Sequence, residues 1–242
     1  MKKFLLIALA AVTVFACTNK EEEFNKEIQT IIEQNNTVGL AVVAVNNGEV
    51  VYSNTYGYKN LETKEPLKEN DIFRIASISK SFTATAIMQL VEQGKLSLDQ
   101  DVSELVGFSV RNPKYPEKVI TLKMLLSHTS SMNDSNGYFT INAINPDSSA
   151  TWQTAWNSYE PGTDYEYCNL GYNTLGTILE RVSGERFDKY IVNHILNPIG
   201  VYGGYEVLSL DTNKFVKIYT WDGENNKFIH KPAAYATRAE EI

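Results

Sequence analysis

Four apolar side chains at helical spacing open the patterned part of the chain. Phe24, Ile28, Ile31 and Ile32 predict an amphipathic helix over 24–34. Small and β-branched residues then run from Gly39 to Val45, followed by Asn46-Asn47-Gly48 and by Val50, Val51 and Tyr52. An Asn-Gly pair between two β-rich runs predicts a tight hairpin. Gly57 and the polar stretch from Lys59 to Asn70 predict loop. A long helix is expected from Ser77 to Gln93, closed by Gly94. Ile78, Phe82, Ala86, Ile87, Leu90 and Val91 make that helix apolar over much of its surface, so it is expected to be buried on several sides. Thr121 can cap a short helix running through Leu125 and Leu126 to His128. Met132 to Ser149 predicts loop, and Pro161-Gly162 a turn. Two further helices are expected, Gly171 to Val182 ending at Gly184, and Phe187 to Leu196 stopped by Pro198. Val201 to Ile229 predicts short strands around an Asp222-Gly223 turn. Strands, then helices, then strands predict an α+β fold, with a helical block inserted between parts of one antiparallel sheet.

The composition narrows the function more than the fold. The 242 residues are 43% hydrophobic and 21% charged, which is ordinary for one globular domain with a sizeable core. The net charge is -7 and no basic cluster occurs, so nucleic acid is not expected as a partner.

The first residues carry an address rather than a fold. Lys2 and Lys3 precede a short apolar run from Phe4 to Ala16, which is too short to span a bilayer and has the flanks of a secretory signal. Val14-Phe15-Ala16-Cys17 resembles the lipobox of bacterial lipoproteins. The expectation is a signal peptide at 1–16, lipid attachment at Cys17 and a polar tether at 17–23. The protein would then be exported and held to a membrane of the cell envelope through its lipid. With Cys17 lipidated, Cys168 is the remaining one of two cysteines and no intrachain disulfide forms.

Among chemical motifs, the chain has no Gly-x-Ser-x-Gly elbow, no metal-ligand spacing and no Gly-rich phosphate loop, so no metal and no cofactor is expected. It does have Ser77-Ile78-Ser79-Lys80. A Ser and a Lys three apart share one helix face, so the amine can reach the hydroxyl. A serine hydroxyl is a weak nucleophile until a base takes its proton. A lysine can serve as that base if burial or a neighbouring cation lowers its pKa, and the apolar surround of this helix is expected to bury it. Ser77 at the helix start also places its own N–H among unpaired first-turn amides, where it can stabilise an oxyanion. About one Ser-x-x-Lys is expected by chance in a chain of this size, so context decides.

That context is Phe73-Arg74-Ile75-Ala76-Ser77-Ile78-Ser79-Lys80-Ser81-Phe82-Thr83, which resembles the active-site segment of class C β-lactamases, DD-peptidases and related esterases. The resemblance is to the serine β-lactamase and penicillin-binding-protein superfamily. It implies acylation of Ser77 and a second motif, Tyr-x-Asn. Three candidates occur: Tyr52-Ser53-Asn54, Tyr58-Lys59-Asn60 and Tyr167-Cys168-Asn169. The last has Cys where the family usually has Ser, but it has the family's order and neighbours, Pro161-Gly162-Thr163 before it and Leu170-Gly171-Tyr172 after it. By resemblance, Tyr167 would share proton transfer with Lys80, and Asn169 would hold Lys80 and a substrate carbonyl. Leu125-Leu126-Ser127-His128-Thr129-Ser130-Ser131 matches a third, mainly structural segment, with Ser131 where the family usually has Gly. His128 is expected to be a hydrogen-bonded structural residue, and His194 and His230 have no assignable partner.

The family's Lys- or His-x-Gly triplet does not follow Asn169 in this sequence, and the resemblance is good from Gly39 to Leu196. Residues 24–242 are therefore expected to form a β-lactamase-like serine hydrolase domain whose C-terminal part is missing, with an incomplete sheet and poor stability and activity on its own. The expected function is hydrolysis of β-lactams, D-alanyl peptides or esters through an acyl-enzyme. The alternative is a catalytically impaired penicillin-binding or scaffold lipoprotein.

Overall fold

The computed structural model describes residues 20–232. The signal peptide, Cys17 and the segment after residue 232 lie outside those residues. The chain divides into two compact units: residues up to Arg74 with a return from Asp211, and Ile75–Leu210. The fold is α+β, as the order of patterns predicts.

In the first unit, residues 20–34 are helical (α1), so the helix already includes Lys20–Glu23 of the expected tether. Ile28 and Ile32 form its buried stripe. The hairpin is β1 (Gly39–Asn46) and β2 (Glu49–Asn60), paired antiparallel. Asn47 and Gly48 both have positive φ, 50° and 82°, as a two-residue type I′ connection requires. β2 runs further than the polar pattern suggested, through Gly57 to Asn60, and pairs with the short β3 (Glu65–Pro66). Gly57 permits this: its φ is 73°, and a Cβ there would lie 2.1 Å from the Val38 carbonyl oxygen. The later part of the unit contains a second antiparallel pair, β4 (Ile218–Asp222) with β5 (Lys227–Lys231). The described strands thus form two sheets, one of three strands and one of two, rather than the single sheet expected. The stretch before β4 forms short 3₁₀ turns, Val207–Ser209 and Thr212–Lys214, where strands were predicted.

The second unit is a helical block around one core. Its elements are α2 (Lys80–Glu92), α3 (Val102–Val106), α4 (Leu122–Leu126), α5 (Asn169–Ser183) and α6 (Phe187–Ile191). α2 buries a single stripe, Thr83, Ala86, Ile87 and Leu90, whereas Met88 is exposed. The expectation of burial on several sides is therefore corrected, because Ser81 and Thr85 interrupt the apolar surface on the far face. α5 presents Leu170, Leu175, Ile178 and Leu179 to the same core and ends at Gly184, whose φ is 72° and whose N–H donates to the Glu180 carbonyl. Beyond α6 the chain continues through a π-helical turn, and Pro198 occupies the first turn of a 3₁₀ segment closed by Gly200 rather than stopping a helix outright.

Two loops decide where the N-terminus of α5 sits. Thr121 caps α4 through Met124 N–H at 3.3 Å; the helix ends at Leu126 with Ser127 as its C-cap, short of the expected His128, which turns the chain with a φ of 58°. The next segment is laced to the one before α5: Asn157 N–H donates to the Ser131 carbonyl at 2.8 Å, and Gly162 N–H to the Thr129 carbonyl at 2.8 Å. Ser131 is itself buried with a φ of 61°, and its hydroxyl accepts from Asn112 Nδ2 at 2.9 Å. This serine sits in a backbone conformation that suits glycine, at a strain of about 1–2 kcal/mol. A glycine there would relieve that strain but leave a buried amide N–H without an acceptor, at about 1–3 kcal/mol. Ser131→Gly is therefore expected to be neutral to destabilising by ~1 kcal/mol in urea unfolding; a clear gain in stability would show the hydroxyl contact to be unimportant.

Candidate active site

Ser77 lies in a 3₁₀ turn, Ala76–Ser79, that runs directly into α2. In a 3₁₀ turn, side chains three apart eclipse one another. This places Lys80 Nζ 3.2 Å from Ser77 Oγ, donating to it. Two restraints hold the turn. Ala76 is forced to a φ of 44°, and Tyr205 donates its hydroxyl to the Ser79 carbonyl at 2.7 Å.

Tyr167 and Asn169 reach the same point from the start of α5. Tyr167 donates its phenol to Ser77 Oγ at 2.7 Å. Asn169 Oδ1 accepts from Lys80 Nζ at 2.7 Å. Lys80 and Tyr167 therefore meet at the Ser77 hydroxyl, and Asn169 joins the cluster through the Lys80 amine. Ser77 is exposed, and Lys80 is half-buried. The surroundings of the Lys80 amine are not the apolar burial expected from the helix pattern. It lies among Ser77, Asn169 and the aromatic faces of Tyr167 and Tyr172, at 4.9 and 5.7 Å. The Lys80 cation first, and the Ser77 hydroxyl second, hold the Tyr167 phenol below its ordinary value of 10.0.

Asp134 is the residue the sequence did not disclose. Its Oδ2 accepts from Asn169 N–H at 3.1 Å and from Asn169 Nδ2 at 2.7 Å, and its Oδ1 from Leu170 N–H at 3.0 Å. Once the Asn169 amide nitrogen faces the carboxylate, the amide oxygen must face Lys80. Burial pushes the Asp134 carboxyl up, but the N–H groups of Leu170 and Asn169 outweigh it and hold the group below 3.8. Asp134 sits in the run Asn133-Asp134-Ser135-Asn136-Gly137, which reads only as turn, so no local signal could have marked it.

Cys168 caps α5, accepting from Gly171 N–H at 3.4 Å and donating its S–H to Asp134 at 3.3 Å. Burial first of all pushes its thiol up to about 12, so it stays a neutral thiol near pH 7. His128 does not bond Ser77; its Nδ1 accepts from Cys168 N–H at 3.1 Å, which fits the structural role expected of it. The two other Tyr-x-Asn candidates are committed within the first unit. Tyr52 donates to Asn25 at 2.6 Å, Asn54 lies against Tyr56, and Lys59 is paired with Glu65 at 2.8 Å.

Asp134→Asn would replace one accepting oxygen with an NH2 that faces N–H donors it cannot accept from, and is expected to destabilise the chain by about 1–3 kcal/mol. The wild-type carboxylate's stabilisation is present above its ordinary value of 3.8 and is lost as pH falls through the depressed folded value. Chemical unfolding between pH 7 and pH 3 should show that acid loss in the wild type and a flatter profile in the variant.

Comparison with known proteins agrees with this geometry. Residues 24–205 match the family model described as Beta-lactamase. The chain is 32% identical over 191 residues to penicillin-binding protein 4* of Bacillus subtilis, covering 76% of this chain and 41% of that protein. It is 30% identical over 186 residues to protein flp of Staphylococcus aureus, covering 75% and 37%. Among solved structures, the octameric penicillin-binding protein homologue from Pyrococcus abyssi superposes with a TM-score of 0.73 at 31% identity, covering 87% of this chain and 50% of that one. The chain thus spans about two-fifths to one-half of the length of these relatives. With the family model matching residues 24–205, most of its length, the chain belongs to the beta-lactamase family.

Proposed function

We propose that this chain is a serine hydrolase that works through an acyl-enzyme on Ser77. One observation carries the reading: two proton-transfer groups, Lys80 Nζ at 3.2 Å and Tyr167 Oη at 2.7 Å, converge on one exposed serine hydroxyl. In the first step Ser77 Oγ bonds to the substrate carbonyl carbon as its proton passes to whichever of the two groups is deprotonated. The carbonyl oxygen takes the electron pair, next to the Ser77 N–H in the first helical turn. When the pair returns, the leaving group departs with a proton from Tyr167. Water then adds to the acyl carbon, gives up a proton to the same pair and releases Ser77. Asn169 keeps Lys80 in place throughout, held by Asp134.

β-Lactams, D-alanyl peptides and simple esters are the substrates proposed, since each offers an acyl carbon bearing a nitrogen or oxygen leaving group. The relatives named penicillin-binding proteins support the first. The proposal extends to export and to membrane attachment through a lipid on Cys17.

A fluorescent penicillin and a p-nitrophenyl ester test the reading. Ser77→Ala should lower acylation by at least ~10³-fold, while Ser79→Ala, whose backbone carbonyl rather than side chain is held by Tyr205, should stay near wild type. Equal signal in both variants would remove Ser77 from the chemistry. An acyl-enzyme that forms without turning over would instead assign a penicillin-binding role without hydrolysis. For the anchor, Cys17→Ser should move the protein from the membrane fraction to the soluble one.

A further inference from the structure

His128 is packed into the site more closely than a loop residue needs to be. Its ring lies 4.7 Å from that of Tyr167 and 5.0 Å from that of Tyr172, tilted by 34° and 33°, with Tyr165 edge-on at 5.9 Å. Its Nδ1 accepts from the N–H of Cys168, the residue directly after Tyr167. Its backbone is strained to a φ of 58°, and its carbonyl accepts from Glu166 N–H at 2.9 Å, the residue directly before Tyr167. One histidine therefore clamps Tyr167 from three sides: the preceding peptide, the following peptide and the ring face.

We propose that His128 is a positioning residue for Tyr167: as a neutral imidazole it holds the phenol against Ser77, and its protonation releases that hold. This rests on the reading of Ser77 as nucleophile. The chemistry is a single proton uptake from solvent at Nδ1. Because Nδ1 accepts a bond, the neutral ring carries its proton on Nε2. A proton on Nδ1 turns the acceptor into a donor facing Cys168 N–H, so that bond breaks and the Tyr167–Cys168 peptide is free to turn. The groups facing the ring are Lys80 from the start of α2, Asp134 from the loop before α5, Tyr165, Tyr167 and Cys168 from the segment leading into α5, and Tyr172 from α5 itself. Burial first, and the Lys80 cation second, disfavour the imidazolium, while Asp134 opposes them less strongly, so the ring takes its proton below the ordinary 6.5. The hold on Tyr167 is therefore complete at neutral pH and is lost on the acid side.

Two substitutions separate positioning from simple packing. His128→Asn keeps an oxygen that can accept from Cys168 N–H but cannot titrate. His128→Phe keeps a ring against the two tyrosines but has no acceptor. The full chain, labelled with 13C-tyrosine and with the Tyr167 resonance assigned through Tyr167→Phe, is titrated by NMR and assayed in parallel for ester acylation. In the wild type, the Tyr167 resonance and the acylation rate should move together in one step below pH 6.5. His128→Asn should abolish that step and retain more neutral-pH acylation than His128→Phe, which should lose about tenfold or more at every pH. An acid step that persists in His128→Asn, or wild-type acylation in His128→Phe, would overturn the proposal. Should the wild type acylate with no substrate, the Tyr167 resonance still decides this question, and only the hydrolase reading fails.

Discussion

The site depends on a short relay of charge-assisted hydrogen bonds from Asp134 through the Asn169 amide to the Lys80 amine. Lysine is a flexible four-carbon stem with a compact charge, and left alone it would sample solvent. The Asn169 oxygen fixes it at 2.7 Å, and that oxygen is available because the amide nitrogen is committed to a carboxylate. The same carboxylate also takes the N–H groups of Asn169 and Leu170, donors that have no partner within α5. A single anion therefore caps a helix and aims a catalytic candidate. That economy explains why α5 begins where it does. Cys168 completes the cap at Gly171 N–H while its S–H faces Asp134.

What the sequence disclosed is what short-range geometry controls. Ser77 and Lys80 are three residues apart, so any helical turn brings them together, and the 3₁₀ form does it more closely than the α form expected. The Asn47-Gly48 hairpin, the Thr121 cap and the Gly184 stop are equally local, each set by one residue's φ or one side-chain bond. Asn169 lies 89 residues from Lys80, and no spacing rule connects them. Tyr167 and Asn169 were chosen by the resemblance of their neighbours, since one tyrosine among 14 carries no mark of its own. Asp134 was beyond reach for the same reason: its value comes from the lacing of segments 129–133 and 155–162, which sets it opposite the α5 N-terminus. The overstated burial of α2 came from counting apolar residues without weighing Ser81 and Thr85 on the opposite face.

The distribution of backbone strain supports the same assignment from a different direction. Among the described residues, seven non-glycine positions have positive φ. The four in the first unit are Asn36, Asn47, Lys64 and Asn226, three of them asparagines, which tolerate that conformation in ordinary turns. The three in the second unit are Ala76, His128 and Ser131, of which only the histidine belongs to a type enriched there. Ala76 directly precedes Ser77, His128 grips Tyr167, and Ser131 lies three residues before Asp134. Each costs about 1–2 kcal/mol, which a local turn would shed if its neighbours allowed. Two of them are held by surrounding bonds: Ser131 by Asn112 and Asn157, and His128 by Cys168 and Glu166. Strain thus gathers next to Ser77, at the residue that grips Tyr167 and near the carboxylate that holds Asn169, which motivates reading this point as a preorganised site, whereas in the first unit three of the four such positions are ordinary asparagine turns.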